Sequence, residues 1–208
     1  MRNLIACLSI VTLAFAQGNH STAKKSEIII VSKVGDPVSD RPTGPFQPAT
    51  TAYLAGWEPP RFDGGLSKYA HISGATWIWM NDFVGDLNHP LYFPKIFSIP
   101  EGVSDITGTL EITADNFFSF SINGLDFGGT QPPDYCQWAY IYKFSINNLK
   151  SGDNYLFITV QGVHPRTPSG LVYKLTISYS EIPVVSKGDS KDYCENFQNN
   201  LKLASNWD

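Results

Sequence analysis

Aromatic and polar side chains collect in the segments that separate the apolar runs of this sequence. The residues concerned are Trp57, Asp134, Tyr135, Trp138, His164 and Arg166. A flat aromatic ring can stack on the apolar face of a sugar while nearby polar side chains bond its hydroxyl groups. The set therefore predicts a ligand-contacting edge suited to carbohydrate. Core packing is the alternative for Trp57 and Trp138, because large aromatic residues are usually mostly buried.

A second candidate site is an oxygen-rich segment. Asn81, Asp82, Asp86 and Asn88 supply four side-chain oxygen donors within eight residues. Calcium prefers such hard ligands, although the spacing differs from that of an EF-hand loop. The segment predicts a calcium site. A solvated polar turn is the alternative, because turns are rich in Asp and Asn.

No residue pattern of an enzyme stands out. Ser169 lies in Pro-Ser-Gly-Leu, which lacks the glycine spacing of a nucleophile elbow. The four histidines are scattered without ligand spacing. Glu111 and Asp115 could imitate a glycosidase pair, but we expect Glu111 on the outer face of a strand and Asp115 in a turn. The sequence therefore predicts a binding role without catalysis.

The first residues predict the compartment. Arg2 precedes an apolar run from residue 4 to residue 15, and residues 14–16 read Ala-Phe-Ala. This order is typical of a cleaved signal peptide, here residues 1–16, although a retained N-terminal anchor is the alternative. The run is shorter than the about 20 apolar residues that span a bilayer. We expect a secreted protein without a membrane span.

Two cysteines agree with export. Cys7 leaves with the signal peptide, whereas Cys136 and Cys194 remain. An even number of cysteines in an oxidising compartment predicts a disulfide between them, with free or intermolecular thiols as the alternative. The formal net charge of −4 gives no basic surface for nucleic acid.

Alternating apolar residues predict an all-β domain. Between Ile106 and Ala114, and again between Phe118 and Ile122, every second residue is apolar, which is the period of a half-buried strand. Asn123-Gly124 then predicts a two-residue hairpin, because both residues tolerate positive φ. Many short strands separated by turn residues indicate a sandwich or a barrel.

The remaining segments complete the predicted domain, which spans residues 28–180. Further strands are predicted at residues 28–32, 92–99, 155–160 and 171–179, and Pro94 marks an edge or bulged strand. Residues 35–66 are rich in Pro and Gly and read as a long loop or short edge pieces. A flexible arm is expected at residues 17–27, and a tail at residues 181–208 with a short helix at residues 190–204.

Six motifs carry a resemblance to a known family. In chain order they are residues 75–79, 92–100, 108–116, 121–124, 148–154 and 168–172. They include a Trp-rich entry, an edge strand that ends in Pro, an Ala-Asp-Asn turn and an Asn-Gly hairpin. This order resembles the galactose-binding-like domains that occur as extracellular modules and beside glycoside hydrolases. The resemblance implies a jelly-roll β-sandwich that binds without catalysis and often carries a structural calcium.

Two functional hypotheses follow. The first is a secreted non-catalytic module that recognises carbohydrate, as a glycan or glycoprotein of a cell surface or matrix. The second is a structural subunit of an extracellular coat, filament or adhesive assembly. Its terminal extensions would pair with the sheet edge of a neighbouring copy. Apart from calcium, no cofactor is expected.

Overall fold

The computed structural model describes residues 23–52, 70–80, 89–130, 137–162 and 169–182. These residues form twelve β-strands and one 3-10 turn, Gln137–Ala139. The strands are β1 (Lys24–Val31), β2 (Pro37–Val38), β3 (Gln47–Pro48), β4 (Thr50–Thr51), β5 (Ile78–Trp79), β6 (Leu91–Ile99), β7 (Val103–Asp115), β8 (Phe117–Ile122), β9 (Leu125–Gly129), β10 (Tyr142–Ile146), β11 (Gly152–Gln161) and β12 (Gly170–Glu181). The prediction of an all-β fold is confirmed.

Two antiparallel sheets form the sandwich. The larger has the order β10-β7-β12-β5-β4, with β1 also paired to β12. The smaller has the order β6-β11-β8-β9. The apolar inner faces of both sheets contribute to one continuous core. This arrangement confirms the predicted jelly-roll β-sandwich.

The burial pattern of the long strands follows the predicted alternation. Leu110, Ile112 and Ala114 of β7 are fully buried, whereas Thr107 and Thr109 on the opposite face are exposed. Successive residues of a strand point to opposite faces, so one face of β7 enters the core while the other meets solvent at Thr107 and Thr109. Towards the end of the strand the second face is covered as well, since Thr113 is buried. The sequence could predict this arrangement because it depends on local period alone.

The hairpin between β8 and β9 also has the predicted geometry. Asn123 and Gly124 have φ values of 51° and 80°. Ile122 pairs directly with Leu125, so these two residues are the whole loop. Positive φ at both central positions matches the right-handed twist of the flanking strands. The predicted two-residue turn is confirmed.

The β6 strand lies at the edge of the smaller sheet, as Pro94 predicted. It pairs with β11 along its length. On its other side, Ser39 and Tyr92 form an antiparallel bridge, with each N–H donating to the other residue's carbonyl at 3.0 and 2.8 Å. Pro94 lacks an N–H, so a position without a full ladder on both sides suits it.

The first strand is longer than predicted. It begins at Lys24, inside the stretch expected to be a flexible arm, and pairs with β12 throughout. The Ser26 hydroxyl donates to the Glu181 carboxylate at 2.6 Å, and the Lys24 ammonium lies 3.3 Å from the same oxygen. These long-range polar contacts extend the strand beyond its β-branched run.

One turn residue acts differently from the prediction. Gly and Asn both tolerate positive φ, so the sequence predicts it at Gly152 and at Asn154, ahead of the strand predicted at residues 155–160. Gly152 does so, with φ of 76°, whereas Asn154 is absent from the described non-glycine residues with positive φ. Asn154 is instead buried, and its side-chain amide bonds the backbone of the preceding turn.

Candidate functional site

A groove of about 590 Å³ lies beside the β6 edge strand. Its loop wall consists of Lys33, Gly35, Asp36 and Pro37, which follow β1, together with Phe46. Residues 94–96 of β6 and Tyr155 of β11 form the rest of its lining. The volume falls in the range of about 300–1,000 Å³ that is usual for small-ligand sites.

Three large apolar side chains of this groove are exposed. Ile96 is 68 % exposed, Phe46 is 40 % exposed and Tyr155 is 39 % exposed. Ile96 and Tyr155 are direct cross-strand neighbours on β6 and β11, while Phe46 comes from the segment between β2 and β3. Single exposed apolar residues are normal, but a cluster around a concavity marks a binding surface.

Asp36 fixes the loop wall of the groove from a buried position. One of its carboxylate oxygens accepts a hydrogen bond from the Lys95 ammonium at 2.5 Å. The other accepts from the Lys33 backbone N–H at 3.0 Å and from the Tyr173 hydroxyl at 3.3 Å. Because Lys95 is on β6 and Tyr173 on β12, this carboxylate ties the loop to both sheets.

Further hydrogen bonds hold the same loop. The Ser32 hydroxyl donates to the Thr76 carbonyl at 2.8 Å and accepts from the Tyr173 N–H at 3.1 Å. The Gly35 N–H donates to the Ala49 carbonyl at 2.9 Å. A wall held by this many bonds is already in place before a ligand arrives, which lowers the ordering cost of binding.

The position of Phe46 depends on Gly44. Gly44 has φ of 84° and precedes Pro45 through a cis peptide bond. A Cβ at Gly44 would lie 3.0 Å from the Phe46 ring and 3.0 Å from its backbone nitrogen. Glycine is therefore required at this position, both for the backbone conformation and for the close approach of the ring.

The Tyr155 ring is supported by its neighbours on the outer face of the smaller sheet. Its centroid lies 5.9 Å from that of Phe157 in a stacked arrangement. Phe157 in turn stacks on Tyr92 at 5.8 Å. Offset stacking of aromatic rings is favourable at such separations. The row fixes the orientation of Tyr155 at the end of the groove.

Burial of Tyr173 makes the stability of the fold sensitive to alkaline pH. Burial, and then the negative charge of Asp36, raise the pKa of the Tyr173 hydroxyl well above its ordinary value. The folded chain therefore keeps this proton above pH of about 10, where the unfolded chain loses it. We expect the free energy of unfolding to fall by about 1.4 kcal/mol per pH unit there.

Urea unfolding between pH 8 and pH 11 measures this slope. Tyr173→Phe is the matched control, because it removes one hydroxyl and leaves the contribution of every other tyrosine to the pH dependence as in the wild type. In the variant, we expect the free energy of unfolding to fall with pH less steeply, by about the 1.4 kcal/mol per pH unit that one proton contributes. Equal slopes in the two proteins would contradict the assignment.

Trp138 is the one predicted ligand-contacting residue that lies among the described residues. It sits in the 3-10 turn and is 4 % exposed. Its carbonyl accepts a hydrogen bond from the Ala70 N–H at 2.8 Å. A ring with so little accessible surface offers no face to a sugar. Trp138 therefore packs in the core, and it does not serve as a stacking surface for a ligand.

The other predicted site residues lie outside the described residues. These are Trp57, Asp134, Tyr135, His164 and Arg166 of the predicted ligand-contacting edge, Asn81, Asp82, Asp86 and Asn88 of the predicted calcium site, and Cys136 and Cys194 of the predicted disulfide. Their roles stay predictions. Across the described ranges, no three His, Cys, Asp or Glu side chains group as a metal site. No helix there is long and apolar enough to cross a membrane.

The Glu111 carboxylate forms ion pairs with lysines on the two strands that flank β7. It lies 2.7 Å from the Lys143 ammonium and 3.7 Å from that of Lys174 on the neighbouring strands. The hydrogen bond from Lys143 is the largest influence that lowers the pKa of Glu111. A general acid needs the opposite shift. Glu111 is therefore unsuited to the acid role of a glycosidase pair with Asp115.

The groove residues Phe46, Ile96 and Tyr155 were missed by the sequence analysis. One signal was available for Tyr155. The buried residues Leu156 and Ile158 define the inner face of β11, so Tyr155 and Phe157 must point outward. Apolar residues on both faces of a strand indicate that its outer face, as well as its inner face, packs against something. Phe46 offered no comparable signal inside its Pro-rich loop.

The chain was compared with known proteins. No family model matches it, and no curated protein does. Similar solved structures include a family 35 carbohydrate-binding module from Clostridium thermocellum, at 13 % identity and a TM-score of 0.36, which covers 71 % of this chain and 97 % of its own.

A second is the family 35 module from Paenibacillus barcinonensis, at 13 % identity and a TM-score of 0.33, covering 70 % of this chain and 97 % of its own. A third, from Cellvibrio japonicus, has 16 % identity and a TM-score of 0.30, with coverages of 59 % and 90 %. The likeness is one of fold. What those modules bind is a property of those modules.

Proposed function

We propose that this chain is a secreted, non-catalytic module that binds carbohydrate in the groove beside β6. The observation that carries the proposal is the exposure of Phe46 and Tyr155, which both line one concavity of ligand size. Aromatic rings offer flat apolar faces to the C–H groups of a sugar. The order of the six sequence motifs, which resembles galactose-binding-like modules, supports the same role.

The rigidity of the groove supports binding by a preformed site. Asp36 bonds Lys95 and Tyr173, and Phe157 backs the Tyr155 ring. Sites whose walls are fixed in advance lose little conformational entropy when a ligand enters. A small sugar offers limited contact area, so a low ordering cost matters for its affinity.

A cell-surface or matrix glycan is the proposed ligand source. The signal-peptide pattern at residues 1–16 supports an extracellular location. The structural-subunit hypothesis relied in part on a free N-terminal arm. In this chain, residues 24–27 of that arm belong to β1 and pair with β12 of the same molecule. The glycan-binding role is therefore the one we favour.

Replacing Tyr155 by alanine tests the proposal. We expect affinity for the bound glycan to fall about fivefold, because the ring supplies a stacking face worth on the order of 1 kcal/mol. The melting temperature should change little, since the side chain is partly exposed. A glycan array identifies the ligand, and titration calorimetry then measures its affinity.

Tyr140→Ala is the matched control. Tyr140 is 61 % exposed, precedes β10 of the larger sheet and does not line the groove. Its replacement should leave glycan affinity unchanged. The proposal is wrong if the wild type binds no glycan on the array, or if Tyr155→Ala binds as tightly as the wild type.

A further inference from the structure

We infer that the groove selects sugars that carry an acetyl group. The inference rests on the proposed function, because it specifies the ligand of the same groove. It starts from the chemistry of the walls. Five of the side chains that line the groove are apolar or aromatic: Pro37, Phe46, Pro94, Ile96 and Tyr155. Such walls favour a methyl group over a hydroxyl group.

The Asp36 carboxylate, an acceptor that lines the groove, is already committed. Both of its oxygens accept hydrogen bonds, from Lys95, from the Lys33 N–H and from Tyr173. A sugar hydroxyl that leaves water for this groove therefore finds no free carboxylate to which it can donate. Unpaired burial of a hydroxyl is unfavourable. A sugar with hydroxyl groups alone is therefore a poor match.

An acetyl group matches the groove in two ways. Its methyl group gains from burial against Ile96 and Phe46, as any apolar group does on leaving water. Its carbonyl oxygen needs only a donor. The exposed Lys33 lines the groove, and no described residue forms an ion pair or hydrogen bond with its ammonium group. That ammonium supplies a charge-assisted donor for the carbonyl.

Acetyl groups reach glycans from two sources, as amides of amino sugars and as esters of hydroxyl groups. Titration calorimetry with two matched pairs separates them. In the first pair, N-acetylated chitotriose carries acetamido groups at C2, whereas cellotriose carries hydroxyl groups there. Acetylated xylo-oligosaccharides before and after alkaline de-esterification form the second pair. We expect at least tenfold weaker binding without the acetyl group in the pair that represents the natural ligand.

The outcomes distinguish the inference from the proposed function. Binding of the acetyl-free sugars that equals or exceeds binding of the acetylated ones overturns the inference and leaves the proposed function standing. Tighter binding of a uronic-acid oligosaccharide than of either acetylated sugar also overturns it, because Lys33 would then select a carboxylate. If no glycan binds at all, the proposed function fails.

A pair of variants tests the apolar wall directly. Ile96→Thr keeps a β-branched residue in β6 but removes apolar contact surface from the groove. We expect about fivefold weaker binding of the acetylated sugar and less than twofold change for its acetyl-free partner. Ile29→Thr is the control, because Ile29 is 56 % exposed on β1 of the other sheet. Equal weakening of both sugars by Ile96→Thr would overturn the inference.

Discussion

Replacing Asp36 by alanine should lower the free energy of unfolding by about 3 kcal/mol, which is the usual cost of removing one partner of a buried ion pair. The carboxylate is 4 % exposed and accepts bonds from Lys95, Tyr173 and the Lys33 N–H. Its loss leaves the Lys95 ammonium, with 19 % of its side chain exposed, without its counter-charge. The Tyr173 hydroxyl loses its acceptor in the core at the same time.

Urea denaturation followed by tryptophan fluorescence measures this change. Asp36→Asn should cost less than Asp36→Ala, because the amide oxygen still accepts a hydrogen bond while the charge is lost. Asp40→Ala is the matched control, since Asp40 is exposed nearby in the same loop region. We expect a change within about 0.5 kcal/mol for it. Comparable losses in Asp36→Ala and Asp40→Ala would refute the role of the carboxylate.

Replacing Asn154 by alanine should cost about 3 kcal/mol, because it removes four hydrogen bonds from a site that is 1 % exposed. The Asn154 amide nitrogen donates to the carbonyls of Lys150 and Gly152 at 2.7 and 2.9 Å. Its oxygen accepts from the Asn123 side chain at 2.9 Å and from the Lys150 N–H at 3.1 Å. Backbone groups of the turn before β11 would be left unsatisfied.

The network reaches across two turns, so its loss should be cooperative. Asn123 also donates to the Asn148 carbonyl and accepts from the Tyr155 N–H, each at 3.0 Å. Asn147→Ala is the control, because Asn147 is exposed and lies in the same turn segment. We expect it to change the free energy of unfolding by less than about 0.5 kcal/mol. A loss below 1 kcal/mol in Asn154→Ala would show that the turn is held by other contacts.

The strands could be predicted because their signals are local. Period-two alternation in β7 and β8 and the Asn123-Gly124 pair depend on neighbours in sequence, and both predictions are confirmed. Pro94 likewise indicated an edge strand from its missing N–H alone. The sequence predicts a turn over residues 147–154, but Asn154 lies in β11, and its side-chain network depends on Asn123, which is distant in sequence.

The groove could not be predicted because it forms between segments that are far apart in the chain. Phe46 belongs to a loop, and Tyr155 looked like any apolar residue of a strand. They line one concavity in a region where Asp36, which no local pattern marks, bonds Lys95 of β6. The predicted aromatic set contained Trp138, whose burial depends on tertiary packing. Side-chain type alone does not say which aromatic residues the core takes up.

The hydrogen bonds of Asp36 to β6 and β12 determine how the groove can be lost. A loop attached to one sheet could open while the sandwich stays folded, and the protein would then be folded without its groove. Here the loop is bonded to both sheets, so opening it breaks contacts that also hold the sheets together. Local unfolding of the site should therefore approach the free energy of global unfolding. The proposed site would then keep its shape until the fold itself is lost.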